Sequence, residues 1–160
     1  MLRLNQFFIA LYNAQVAQKG TLEVPFSKLI WESAQALLHC GVLESVTWKL
    51  PSSRLQRFSH EQGSFLSHSF EPYGSLHTRQ AHIQCVLKYK NTGPLIQRVC
   101  LLSTPSRRIS WDYPTVVLQS SRPGNFLLLT PHGVLTEAEA LKAEIGGLPL
   151  CRIFLHPWKI

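Results

Sequence analysis

The 160-residue chain reads as an α+β protein of two small sub-domains. An N-terminal α-β-α-β-β unit covers 1–90, and a C-terminal unit over 91–160 is mostly β with one short helix. Three observations carry this reading. Helical and strand-like apolar periods take turns as far as Lys49, after which the helical period nearly disappears. Ala81, Ile83, Cys85, Leu87 and Tyr89 alternate cleanly, the period-two mark of a strand with one buried face. The turn signal Asn91-Thr-Gly-Pro94 then marks where the sub-domains part. Apolar residues make up 45% and charged residues 16%, so a core can form and a mostly disordered chain is excluded.

The elements follow in order. Leu4, Phe7, Phe8 and Leu11 share one helical face, and Lys19-Gly20 supplies a basic last turn and a stop. Thr21 to Pro25 alternates as a strand through Leu22 and Val24. Ser27 suits the N-cap of a second helix, with Ile30, Ala34, Leu37 and Leu38 as its buried stripe and Gly41 as its close. Val46, Trp48 and Leu50 alternate as a strand ended by Pro51. An insertion at 52–79, rich in Ser and His, has no sustained period and reads as a long loop with at most a short element around 65–70.

After the turn, Leu95 to Leu102 reads as a buried strand and Ser103 to Arg108 as a polar basic turn. Val116 to Leu118 is expected as a short strand, Arg122 to Asn125 as a turn, and Phe126 to Leu129 as a strand. Thr136-Glu-Ala-Glu139 has capping-box spacing, so a short helix should run to about Glu144. The stretch from Leu129 to Thr136 is expected as a strand-to-helix connection. Leu150 to Leu155 closes the chain as a strand after Gly146-Gly147.

The charge of +7 is concentrated. Ten basic and three acidic residues lie from Lys49 to Arg122, and the rest of the chain balances. A localised positive field suits a polyanion. No apolar run approaches the roughly 20 residues of a membrane-spanning helix, so no membrane partner is expected. Cys40, Cys85, Cys100 and Cys151 form no CxxC pair, which removes zinc-ribbon spacing, and they read as reduced, largely core residues of an intracellular protein. Nucleotide-binding glycine loops, HExxH and GxSxG are all missing. No cofactor, metal or small-molecule substrate is therefore expected, and the chain reads as non-enzymatic. The N-terminus lacks a secretory signal, and its single Arg with no acid before Glu23 faintly resembles an organelle-targeting start.

Two segments suit RNA. Ser103, Thr104, Ser106, Arg107 and Arg108 place hydroxyl and guanidinium groups on one turn, the groups that meet phosphate and 2′-hydroxyl oxygens. The bland alternative is a pair of solvated surface charges. The stretch Leu129-Thr-Pro-His-Gly-Val-Leu-Thr136 offers Thr130, His132, Gly133 and Thr136, with a glycine that permits close backbone approach. A free-standing RNA-binding regulator and a Ser/His hydrolase are the rival readings.

Taken in order, these pieces resemble the universal small-subunit ribosomal protein eight family, from about Phe8 to Phe154. Asn13-Ala14-Gln15 ends the first helix as in the family, and Val24-Pro25 followed by Ser27-Lys28-Leu29 repeats a family motif. Ser103-x-Pro105-x-x-Arg108-Ile109 fits its proline turn, and Thr130-x-x-Gly133-Val134-Leu135-Thr136 fits its Ser-Thr-Ser signature. The resemblance implies a structural ribosomal protein that binds the central domain of small-subunit rRNA and adjoins neighbouring ribosomal proteins. It implies RNA contacts at Thr130, Gly133, Ser103, Pro105 and Arg108, with Asn13 and Lys28 as further contacts.

Departures stand out. Leu129 and Pro131 replace the flanking serines, Ser110 replaces a tyrosine, Tyr12 replaces an arginine and Leu148 replaces a glutamate. Together with the insertion they suggest a diverged organellar member. A mitochondrial ribosome is the first expectation, and a plastid or cytoplasmic one is the alternative. The match begins within the first helix, leaving little room for a cleavable presequence.

Overall fold

The computed structural model describes residues 2–49, 81–90, 93–104 and 106–156. The insertion at 52–79, the strand stop at Leu50-Pro51, Asn91-Thr92 and Pro105 lie outside them. The element order is α1 (Leu2–Val16), β1 (Thr21–Pro25), α2 (Lys28–His39), β2 (Leu43–Lys49), β3 (His82–Leu87), β4 (Tyr89–Lys90), β5 (Gly93–Pro94) and β6 (Ile96–Leu101). Then come α3 (Tyr113–Ser120), β7 (Asn125–Thr130), β8 (Gly133–Thr136), α4 (Glu137–Ala143) and β9 (Leu148–Leu155). The α+β class holds. Among the described residues three antiparallel sheets form, with strand orders β1-β3-β2, β4-β5 and β6-β9-β7-β8.

Periodicity explains the packing. In α1 the predicted stripe of Leu4, Phe7, Phe8 and Leu11 is buried, and in β3 so is the alternating set Ile83, Cys85 and Leu87. Helices α1 and α2 lie against the three-stranded sheet, while α1 also meets β6 and α2 meets β8 of the four-stranded sheet. One apolar cluster therefore includes residues of both sheets, from Val24 and Ile83 to Leu127, Cys151 and Ile153. A second, smaller cluster of Val116, Phe126, Leu128 and Ala140 joins β7 to α3 and α4. The cysteines are free thiols. Burial pushes the Cys40 and Cys85 thiols up to about 11, with Glu139 and Glu137 adding to the effect at Cys40. Neither is poised as a nucleophile.

Four expectations need correction. The segment around Val116–Leu118 is helix α3, not a strand, so the described residues of the C-terminal half hold two short helices. Asp112 at the N-cap position and Pro114 in the first turn start it, and a β-branched pair does not outweigh that start. The stretch from Leu129 to Thr136 is a hairpin, because Gly133–Thr136 pairs with β7 as strand β8 before α4 begins.

The first helix ends at Val16 rather than at Lys19-Gly20. Gln18, at φ +54°, occupies the left-handed position, while Gln18 N–H bonds Gln15 O and Lys19 N–H bonds Ala14 O. That is a Schellman close with glutamine where glycine is usual. The Tyr89 hydroxyl also donates to the Lys19 carbonyl beside it. Finally, Ser27 holds the N-cap position of α2 without a side-chain cap bond.

Candidate nucleic-acid interface

Topology brings the two predicted segments to one end of the four-stranded sheet. Strand β9 runs antiparallel to both β6 and β7, so the exits of β6 and β7 lie on the same side. The turn at 104–107 follows β6, and the Pro131-His132 turn follows β7. The chain after the first turn returns to this end, where Trp111 and Gly147 exchange backbone hydrogen bonds of 2.8 and 2.9 Å. The glycine pair makes this possible. A Cβ on Gly147 would lie 2.6 Å from the Leu129 carbonyl oxygen, and one on Gly146 would run into the Trp111 carbonyl oxygen.

Two hydroxyls at this end, those of Thr130 and Thr136, are spent on the fold. Thr130 is buried; its Oγ1 donates to Gly133 O at 2.9 Å and accepts from His132 N–H at 3.2 Å, which fixes the two-residue turn. Thr136 is buried and completes a capping box, its Oγ1 accepting from Glu139 N–H while its own N–H donates to Glu139 Oε2 at 2.8 Å. Ser103 is buried and its Oγ has no partner among the described residues. Thr104 is half-buried, and its hydroxyl lies 3.4 Å from the exposed Ser106 hydroxyl. Pro131 and His132 stand exposed at the hairpin tip. Gly133 has φ +112°, and the close approach it permits is toward α2, where a Cβ would lie 3.2 Å from Glu32 Oε2.

The two arginines of the turn are not spent. Thr104 and Arg107 exchange two backbone hydrogen bonds of 3.1 Å, a closed turn from which exposed Arg107 and Arg108 project. Neither guanidinium makes a hydrogen bond or ion pair among the described residues. Lys28 is exposed one helical turn before Glu32, on the side of α2 that meets the hairpin, so it joins the same end. Asn13 does not. It lies near the close of α1, whose Gln15 binds Ile96 at the entrance to β6, the far end of the sheet.

Sequence reasoning missed several residues that hold this arrangement. Gln15 is fully buried; its Nε2 donates to Lys88 O at 3.0 Å and its Oε1 accepts from Ile96 N–H at 2.8 Å, pinning both sides of the β4–β5 hairpin to α1. His39 Nδ1 meets Glu139 Oε1 at 3.0 Å and ties the end of α2 to the start of α4. Burial alone would raise the Glu139 carboxyl, but the Thr136 and His39 bonds outweigh it and hold it below its ordinary value. Arg152, also buried, donates from Nη2 to Gln119 O and Oε1 and lies over the Phe126 ring. Gln15 sits inside a motif the sequence did single out, but only its non-local partners reveal its part.

A small basic α+β protein, with exposed arginines at the sheet end where its polar turn and hairpin meet, is the class this geometry defines. The comparisons narrow it. The family model described as Ribosomal protein S8 matches residues 3–154, and the chain belongs to that family. It is 27% identical over 154 residues to small ribosomal subunit protein uS8m of Neurospora crassa, covering 89% of this chain and 92% of that one. It is 24% identical over 148 residues to small ribosomal subunit protein uS8 of Ehrlichia ruminantium, covering 92% and 93%. A uS8 of Gluconacetobacter diazotrophicus is 36% identical over 74 residues, 46% of this chain and 56% of its own length.

Proposed function

We propose that this chain is a structural constituent of the small ribosomal subunit, that it binds the central domain of small-subunit rRNA, and that it works in a mitochondrial ribosome. Family membership supports the ribosomal role, and similarity to a mitochondrial uS8m over most of both chains supports the compartment. The observation that carries RNA binding is the closed 104–107 turn with unpaired Arg107 and Arg108, set at the sheet end that also holds the β7–β8 hairpin and Lys28. On this reading the 91–160 sub-domain supplies the main RNA surface, and neighbouring ribosomal proteins meet the rest. A guanidinium fits phosphate bidentately and is weakly hydrated, so exposed arginines on a fixed turn are suited to an RNA backbone. The chain acts by binding and positioning, and no catalytic step is assigned to it.

The test is fractionation of mitochondria on a sucrose gradient together with protein–RNA crosslinking. The reading expects the chain in the small-subunit fraction, crosslinked to the central domain of the rRNA through the 104–108 turn. Migration as a free protein would favour the RNA-binding regulator, and crosslinks elsewhere in the rRNA would overturn the assignment to the central domain.

A further inference from the structure

The far end of the four-stranded sheet carries a second arrangement of cations and rings. Edge strand β6 bulges between Ile96 and Arg98, and a bulge at a sheet edge re-aims the side chains around it. Arg98 stands opposite Phe154 of β9, with its guanidinium carbon 4.8 Å from the centre of that ring. Gly124 backs the same ring so closely that a Cβ there would lie 3.0 Å from two ring carbons. Backbone thus packs behind the ring, and the Arg98 guanidinium lies over it. Exposed Arg122 belongs to the turn that leads into Gly124.

The contrast with Arg152 is informative. It lies two residues from Phe154 on the same sheet face, but it is buried and bonded to Gln119. Arg98 and Arg122 are exposed and make no hydrogen bond or ion pair among the described residues. A guanidinium already lying over a ring has less freedom to lose on binding, and its donors can still meet a phosphate or a base.

We propose that Arg98, Phe154 and Arg122 form a second RNA-contact site, separate from the 104–108 turn. This rests on the RNA-binding reading above. Strand β7 runs its six residues between the two ends, about 20 Å at 3.4 Å per residue. The two sites therefore cannot share one phosphate, and the bound RNA must extend along the length of the sheet.

The experiment titrates the full-length protein and two double variants, R98A/R122A and R107A/R108A, with a small-subunit rRNA fragment over a range of salt. Circular dichroism checks that each is folded. R98A/R122A is expected to bind about tenfold more weakly, with the salt slope shallower by roughly 1.4–1.8, the value for two lost phosphate contacts. Hydroxyl-radical footprinting should lose protection at a different RNA segment from the one lost in R107A/R108A. R98K, which keeps the charge without the plane, should recover the salt slope but only part of the affinity.

If R107A/R108A weakens binding and R98A/R122A does not, the second site is overturned and the first stands. If the unaltered protein fails to bind RNA, the underlying reading falls. If R98A/R122A binds RNA normally but no longer enters the particle, the surface meets an acidic protein neighbour and the RNA assignment is wrong.

Discussion

The β7–β8–α4 corner and the 104–108 turn share one end of the same sheet, yet they use their polar groups in opposite ways. In the corner, the Thr130 hydroxyl closes a hairpin, the Thr136 hydroxyl caps a helix, and Glu139 both completes that cap and pairs with His39. In the turn, two backbone bonds close the loop, and the two arginines have no partners among the described residues. A hydrogen-bonding group already satisfied inside the fold has little left to offer a ligand, whereas an exposed unpaired guanidinium keeps nearly all of its capacity. On the RNA-binding reading proposed above, the corner serves mainly as scaffold and the turn is the part free to bind.

The first way to break that comparison is to disturb the seam between the two regions. Gly147→Ala puts a Cβ 2.6 Å from the Leu129 carbonyl oxygen, a backbone atom that cannot swing aside. A loss of about 3 kcal/mol is expected, as for strong overpacking. Thermal unfolding should show Tm lower by roughly 6–12 °C for a domain of this size. An unchanged Tm would mean that the seam opens freely.

Gln15→Leu is next. It leaves the buried Ile96 N–H and the part-buried Lys88 O without their partner, at a cost of about 2 kcal/mol read from a denaturant titration. Its place is distant from the arginine turn, so the RNA segment protected through Arg107 and Arg108 should stay protected wherever the variant is folded. Loss of that protection in the folded variant would show that the two ends of the sheet are coupled.

Glu139→Ala removes the reaching-back half of the capping box and the His39 pair, for about 1 kcal/mol. It also carries a pH signature. The folded protein holds this carboxyl below its ordinary value of 4.5, so its contribution is complete above that pH and is lost as pH falls through the folded pKa. The stability difference between the native protein and the variant should therefore shrink as pH falls below about 4.5. A difference that stays constant down to pH 2 would remove Glu139 from the account. The smallest effect is expected at Ser27→Ala, a few tenths of a kcal/mol, because its hydroxyl makes no cap bond.

How much of this the sequence discloses depends on how local the cause is. The stripes of α1 and β3 and the box of Thr136 and Glu139 are short-range patterns, and they stand where periodicity and spacing place them. Helix α3 escapes because its only buried residue is Val116, too little to mark a helical face. Strand β8 escapes because four residues between a turn and a cap leave room for just two alternations. The close of α1 shifts because the non-local Tyr89 hydroxyl bonds a carbonyl at its end. At the site, residue type alone shows which groups could bind RNA. Whether the hydroxyl of Thr130 or Ser103 is free depends on Gly133 and on burial, which only the folded chain reveals.

The central claim is that arginines carry RNA affinity at this end and hydroxyls do not. The most direct test compares R107A/R108A with Thr130→Val in one titration series against the same rRNA fragment, at a temperature where both are folded. The account predicts that R107A/R108A lowers affinity at least about tenfold and flattens the salt slope by roughly 1.4–1.8. Thr130→Val should lose about 1–2 kcal/mol of stability from its two turn bonds while keeping the slope and the affinity of the native protein. Equal loss of affinity in the folded Thr130→Val protein, or an unchanged salt slope in R107A/R108A, would contradict it.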